Sequence, residues 1–60
     1  MIDLIEDLRF RYSYPTVDIY DVSTGILVAE IVGIYGNEYD SYIPVDWAYI
    51  YEYDLLRVYI

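Results

Sequence analysis

Sixty residues without a cysteine or a histidine make a single domain that has neither a disulfide framework nor a His/Cys zinc site to hold it together. A domain this small buries only about 60% of its unfolded surface. Yet 58% of its residues are hydrophobic, ten of them tyrosines, so part of that surface is expected to be covered by another chain, as a homo-oligomer or a tight heterocomplex. Eleven acids against three arginines give a net charge of −8, which excludes nucleic-acid binding, since phosphate contacts need cations, and favours encounter with a basic surface.

Taken in chain order, Ile2 to Arg9 reads as a short helix. Asp3 is its N-cap and Glu6 stands at the capping-box distance. Leu4, Ile5, Leu8 and Tyr12 share one side, and Asp3, Asp7 and Phe10 point away. Two or three turns are not stable alone, so this helix must lean on a sheet. Tyr14-Pro15 ends it, because the residue before proline is pushed out of the α region.

Thr16 to Asp21 alternates apolar and polar, the period of a strand. Ser23-Thr24-Gly25 is a turn with glycine in the left-handed position, and the return strand runs from Ile26 to about Val32. A three-residue turn sets Val17 opposite Ile31 and Ile19 opposite Ala29. Tyr20–Val28 and Asp18–Glu30 then form the outward pairs. Two carboxylates directly across a strand pair repel one another, which a function explains better than a fold does. Gly33 to Pro44 reads as the mobile connection between hairpins, with a helical turn placed at Ile43 to Asp46.

The last fifteen residues alternate again. A turn at Glu52-Tyr53-Asp54, with Asp54 left-handed, sets Ile50 opposite Leu56 and Tyr49 opposite Arg57. The pieces add up to an α+β fold: a short N-terminal helix packed on a four-stranded antiparallel sheet made of two hairpins. The sequence leaves the strand order open; order 2-1-4-3 would put the most apolar strands in the centre. The helix should cover Val17, Ile19, Ala29, Ile50, Leu56 and Val58. The opposite face should carry Asp18, Tyr20, Val28, Glu30, Tyr49, Tyr51, Arg57 and Tyr59.

Catalysis is poorly supplied. No His or Cys exists, Ser13, Ser23 and Ser41 have no evident base, and no phosphate-binding glycine loop occurs, so an enzyme is not expected and no cofactor is implied. The carboxylate pairs Asp18/Glu30 and Glu38/Asp40 are the nearest approach to acid–base chemistry. Asn37-Glu38-Tyr39-Asp40 fits no calcium loop, and no metal site is expected. The informative feature is the tyrosine face. One reading is aromatic packing, or a homodimer seam in a structural or assembly protein. The other is a partner-binding surface formed by Asp18, Tyr20, Glu30, Tyr49, Tyr51, Glu52, Asp54 and Tyr59. Tyrosine gives contact area at small entropic cost, and with acids beside it the surface suits a partner that displays Arg and Lys.

Val17-Asp18-Ile19-Tyr20-Asp21-Val22-Ser23-Thr24-Gly25-Ile26-Leu27-Val28-Ala29-Glu30, with Ile43-Pro44, Tyr49-Ile50-Tyr51 and Leu55 to Ile60, resembles small proteins encoded by bacteriophages and their relatives in bacterial genomes. In size and charge the chain is similar to anti-CRISPR proteins and phage inhibitors of DNA-processing enzymes. That resemblance implies a phage-type inhibitor that occupies the basic nucleic-acid-binding surface of a host enzyme, such as a CRISPR effector, by electrostatic and aromatic mimicry. With no signal peptide, membrane span or lipidation motif in the sequence, the expected location is the cytoplasm, that of the bacterial host for a phage-encoded chain.

Overall fold

The computed structural model describes residues 4–32 and 42–60. The Asp3 cap, the Asn37 to Asp40 loop and most of the connection from Gly33 lie outside the described residues.

Helix α1 spans Leu4–Arg11, with Glu6 and Asp7 in its first turn and Arg9 and Arg11 in its last, as the helix dipole prefers. Its buried stripe is Ile5, Leu8, Arg9 and half-buried Tyr12, the i, i+3, i+4, i+7 set of one helical face. Leu4, expected on that side, is exposed. Arg9 is the member that apolar periodicity overlooks: it is fully buried, with its guanidinium 5.6 Å from the Tyr14 ring centroid. An exposed Arg11–Asp7 pair, 3.4 Å apart, decorates the outer side and contributes little.

The helix stops at Arg11, before the Tyr14-Pro15 boundary, through a Schellman arrangement. The Tyr14 N–H donates to the Arg9 carbonyl at 2.6 Å and the Ser13 N–H to the Phe10 carbonyl at 3.2 Å. This geometry needs a left-handed residue at Ser13 (φ 64°), and Tyr14 follows it there (φ 57°). Neither is glycine, so each carries the steric cost of a Cβ in that region.

Four strands form one sheet in the order β2-β1-β4-β3, where β1 is Thr16–Tyr20, β2 Leu27–Ile31, β3 Asp46–Ile50 and β4 Leu55–Tyr59. This is the order that puts the most apolar strands in the centre. The sheet is mixed, however, because β1 and β4 run parallel while both hairpins are antiparallel. Alternation along a strand tells which residues share a face and carries no information about strand direction. Direction depends on how the chain returns between β2 and β3, and parallel neighbours cannot be joined by a tight turn. The segment Tyr42 to Val45 is extended or bent, with no helical turn, and Asp46 already belongs to β3.

The first hairpin keeps the expected register at Val17–Ile31, Asp18–Glu30 and Ile19–Ala29. A bulge then pairs Tyr20 with Leu27 and leaves Val28 as the extra residue, in place of the Tyr20–Val28 pair. Gly25 takes φ 74°, and its N–H closes the turn on the Asp21 carbonyl at 2.7 Å.

The second hairpin slips by one residue. Tyr51–Tyr53 forms a single 3-10 turn, and with left-handed Asp54 (φ 48°) the loop has four residues, so Ile50 meets Leu55 and Tyr49 meets Leu56. A one-residue shift exchanges the two faces of a strand. Trp47 and Tyr49 therefore face the helix, and Ala48 and Ile50 face away. Aromatic burial explains the preference. Tyr12 stacks on Tyr49 with centroids 4.2 Å apart and planes 9° apart, and lies 6.1 Å from Trp47. Trp and Tyr offer roughly 150–250 Å² each, far more apolar area than the Ala48 and Ile50 that the alternative register would place there.

The core joins Ile5 and Leu8 of the helix to Val17, Ile19, Ile31, Leu56 and Val58, with Tyr12, Ala29, Tyr42, Trp47, Tyr49 and Ile60 packed around it. Two substitutions separate the registers. Tyr49→Ala should cost roughly 2–4 kcal/mol, as a large aromatic lost from a core, and Ile50→Ala no more than about 1 kcal/mol. Urea titration checks this, and the sequence-based register requires the opposite ranking. Ser13→Gly should stabilise by about 0.5–1 kcal/mol by relieving the left-handed position; a lowered melting temperature would contradict it.

Candidate functional site

The face of the sheet away from the helix is built by alternation. In β1 and β4, Val17, Ile19, Leu56 and Val58 are 0% exposed, while Thr16, Asp18, Tyr20, Leu55, Arg57 and Tyr59 are half-buried. Across the strands the outer row at mid-sheet reads Glu30, Asp18, Arg57, Ala48. The next row reads Leu27, Tyr20, Tyr59, Asp46.

Backbone bonds show how Asp18 and Glu30 meet. The Tyr20 carbonyl accepts the Ile60 N–H at 2.9 Å, so Tyr20 directs its main-chain groups toward β4. The Asp21 N–H donates to the Ile26 carbonyl at 2.9 Å, toward the other side. By alternation Asp18, like Tyr20, bonds toward β4, and Asp18–Glu30 is a pair with no hydrogen bonds between its main chains. Such pairs are the close ones, with Cα atoms about 4.5 Å apart. Two acidic residues thus share one face at the tighter of the two cross-strand Cα spacings.

Arg57 is the cross-strand neighbour of Asp18 on its other side, but the two make no ion pair. The guanidinium carbon of Arg57 lies 5.5 Å from the Tyr20 ring centroid. Among the described residues, neither Asp18 Oδ1 nor Arg57 Nε, both buried, has a hydrogen-bond partner. Tyr20 and Tyr59 sit with centroids 6.0 Å apart, tilted by 30°. Tyr20, Arg57 and Tyr59, with Asp21, Val22 and Gly25 of the hairpin turn, line a shallow open recess of about 300 Å³. The Ser23 hydroxyl and N–H donate to Asp21 Oδ1 at 2.5 and 2.9 Å. The hydroxyl bond is the larger cause that holds the Asp21 carboxyl below its ordinary pKa, so a fixed negative charge stands at the rim.

Of the residues expected to form a partner surface, Asp18, Tyr20, Glu30 and Tyr59 come together here. Tyr49 does not: it is on the helix side, stacked on Tyr12. Tyr51, Glu52 and Asp54 sit in the β3–β4 turn beside Leu55. Tyr20 and Tyr59 are four residues along their strands, roughly 13 Å away. The tyrosine seam expected for a homodimer thus loses Tyr49 to the core and Tyr51 to the turn. Asp46, opposite Tyr59 on the open face, was missed, since the register slip alone puts it there.

Among the described residues no cluster of three His, Cys, Asp or Glu side chains is placed to hold a metal ion, and no helix is long and apolar enough to cross a membrane. No family model, no curated protein and no solved structure matches the chain.

Tyr49 makes one further bond. Its hydroxyl donates to Asp54 Oδ1 at 2.6 Å, which ties the β3–β4 turn to its own strand. The bond to the carboxylate is the main cause that raises the Tyr49 pKa above the ordinary phenol value. A raised acid contributes stability that is fully present below its unfolded pKa, about 10, and is lost as pH rises through the folded value. The stability difference between wild type and Tyr49→Phe should therefore be present at pH 8 and shrink above pH ~10. Melting curves across that range check it; a difference that stays constant would remove the hydrogen bond as its source.

Proposed function

We propose that the chain is a protein-binding inhibitor and not a catalyst. Its open sheet face engages a basic surface, and the surface that fits best is the nucleic-acid-binding site of an enzyme. The observation that carries this reading is the Asp18–Glu30 pair, two acidic residues at the close cross-strand Cα spacing on a half-open face. Like charges so placed work against the fold. A partner that brings arginine or lysine to them converts that cost into binding. Tyr20 and Tyr59 supply flat rings beside the acids, on which a guanidinium can stack as Arg57 already does on Tyr20.

A phage inhibitor of the anti-CRISPR type is the specific form of this proposal. Acids on a rigid sheet take the place of phosphates, and rings take the place of bases. The overall charge of −8 speeds encounter with any cationic channel. The absence of histidine and cysteine from the sequence agrees with a role that needs no proton transfer or nucleophile.

The experiment is a binding assay of the protein against purified nucleic-acid enzymes, with CRISPR effectors first, at two salt concentrations. Binding should weaken as salt rises, and competing nucleic acid should displace the protein. Asp18→Asn with Glu30→Gln should leave stability equal or up to about 1 kcal/mol higher, and weaken the complex by roughly 2–5 kcal/mol. Asp7→Asn, which removes one charge of the same kind on the exposed side of the helix, should have little effect. Equal losses per charge removed would mean that net charge alone acts, and no loss from either would refute the acidic face as the contact.

A further inference from the structure

The sheet order leaves β2 at an edge, and β2 has few of the devices that protect edges. Its sequence Leu-Val-Ala-Glu-Ile holds one charge, no proline and no lysine. Leu27 and Val28 are each 45% exposed, and Val32 just beyond is 65% exposed. The Val28 bulge disturbs one end and leaves Ala29 to Ile31 regular. At the other edge, Asp46 Oδ1 accepts the Trp47 N–H at 2.8 Å, so a carboxylate already shields β3. The alternation that makes Asp18–Glu30 a pair without main-chain bonds also fixes where Glu30 points: its own N–H and C=O face outward from the sheet. Among the described residues nothing pairs with them.

We propose that β2 receives an extended basic segment of the partner as a fifth strand. The inference rests on the reading above and names its mode of recognition. Charge decides the occupant. A second copy would bring another −8 and set its own acids beside Glu30 and Asp18. An alternating segment of arginines and apolar residues would put its cations on the open face, in line with Glu30 and Asp18. Its apolar side chains would extend the layer of Ala29 and Ile31. Main-chain bonds then supply affinity, and the acid row supplies specificity.

The test uses the full chain and three forms of one peptide, acetyl-(Arg-Val)3-amide: unmodified, N-methylated at every arginine, and N-methylated at every valine. In a strand, alternate residues direct their N–H groups to opposite edges. Edge addition therefore predicts that one methylated form loses binding and the other keeps it; for antiparallel addition the arginine set is the one that fails. Glu30→Gln should weaken the unmodified peptide about fivefold, and Asp7→Asn should not. If both methylated forms bind like the parent while Glu30→Gln still weakens them, the acidic face stands and the edge proposal falls. If acetyl-(Glu-Val)3-amide binds as well as the arginine peptide, the basic-partner reading itself falls. Loss of both methylated forms, or no binding by any peptide, would also overturn the edge proposal. So would a dimer in sedimentation that the unmodified peptide dissociates, because β2 would then be taken by a second copy.

Discussion

The parallel pairing of β1 with β4 is what the other contacts depend on. It brings Val17 beside Leu56 and Ile19 beside Val58, four side chains without exposed surface, and gives α1 a floor for Ile5 and Leu8. Neither hairpin could support the helix alone, since a two-stranded ribbon is marginal in water. The same pairing also builds the outer face, because it sets Asp18 next to Arg57 and Tyr20 next to Tyr59. Core and candidate site are thus two sides of one ladder. A parallel pair is usually covered on both sides. Here the helix, Tyr12, Trp47 and Tyr49 fill one side, and the other is left half-open with a charged and aromatic lining.

Arginine placement divides the labour between the two faces. Arg9 is enclosed on the helix side near Tyr14, whereas Arg57 lies across Tyr20 on the open side. With no lysine in the chain, each cation carries a disproportionate role. Arg57 breaks up an otherwise acidic row. The face is therefore patterned, with two acids toward β2 and a guanidinium over Tyr20, and a partner of the kind proposed would have a register as well as a charge to match.

Much of this was legible in the sequence, and the failures have specific causes. The alternation Val17-Asp18-Ile19-Tyr20 and the glycine at position 25 sufficed for the first hairpin as far as Ile19–Ala29, the Asp18–Glu30 pair included, but not for the bulge that replaces Tyr20–Val28 with Tyr20–Leu27. The sequence leaves strand order open, although the arrangement that puts the most apolar strands in the centre is the one observed. Direction did not follow, since side-chain parity is the same for a strand read either way. The second hairpin failed at its turn: Tyr51 reads as a strand residue, but the 3-10 turn claims it, and every side chain of β3 changes face. A comparison of the aromatic area that each register buries would have chosen correctly, because Trp47 and Tyr49 outweigh Ala48 and Ile50. Helix periodicity hid Arg9, whose position matches the buried stripe and whose charge argued against it.

The strand order has a consequence for how the chain reaches this state. Thr16 pairs with Leu55, and Tyr20 with Tyr59, contacts about forty positions apart that must be made across an open chain before the core gains anything. The two hairpins are local and can form early, but each is a ribbon with one greasy side and no cover. Closure of the centre is the step that rewards both. Damage to either half of the sheet should be felt in the other, because among the described residues both hairpins share one central ladder. A partner of the kind proposed would meet this sheet as a finished surface, and the adjustment would fall to the other molecule.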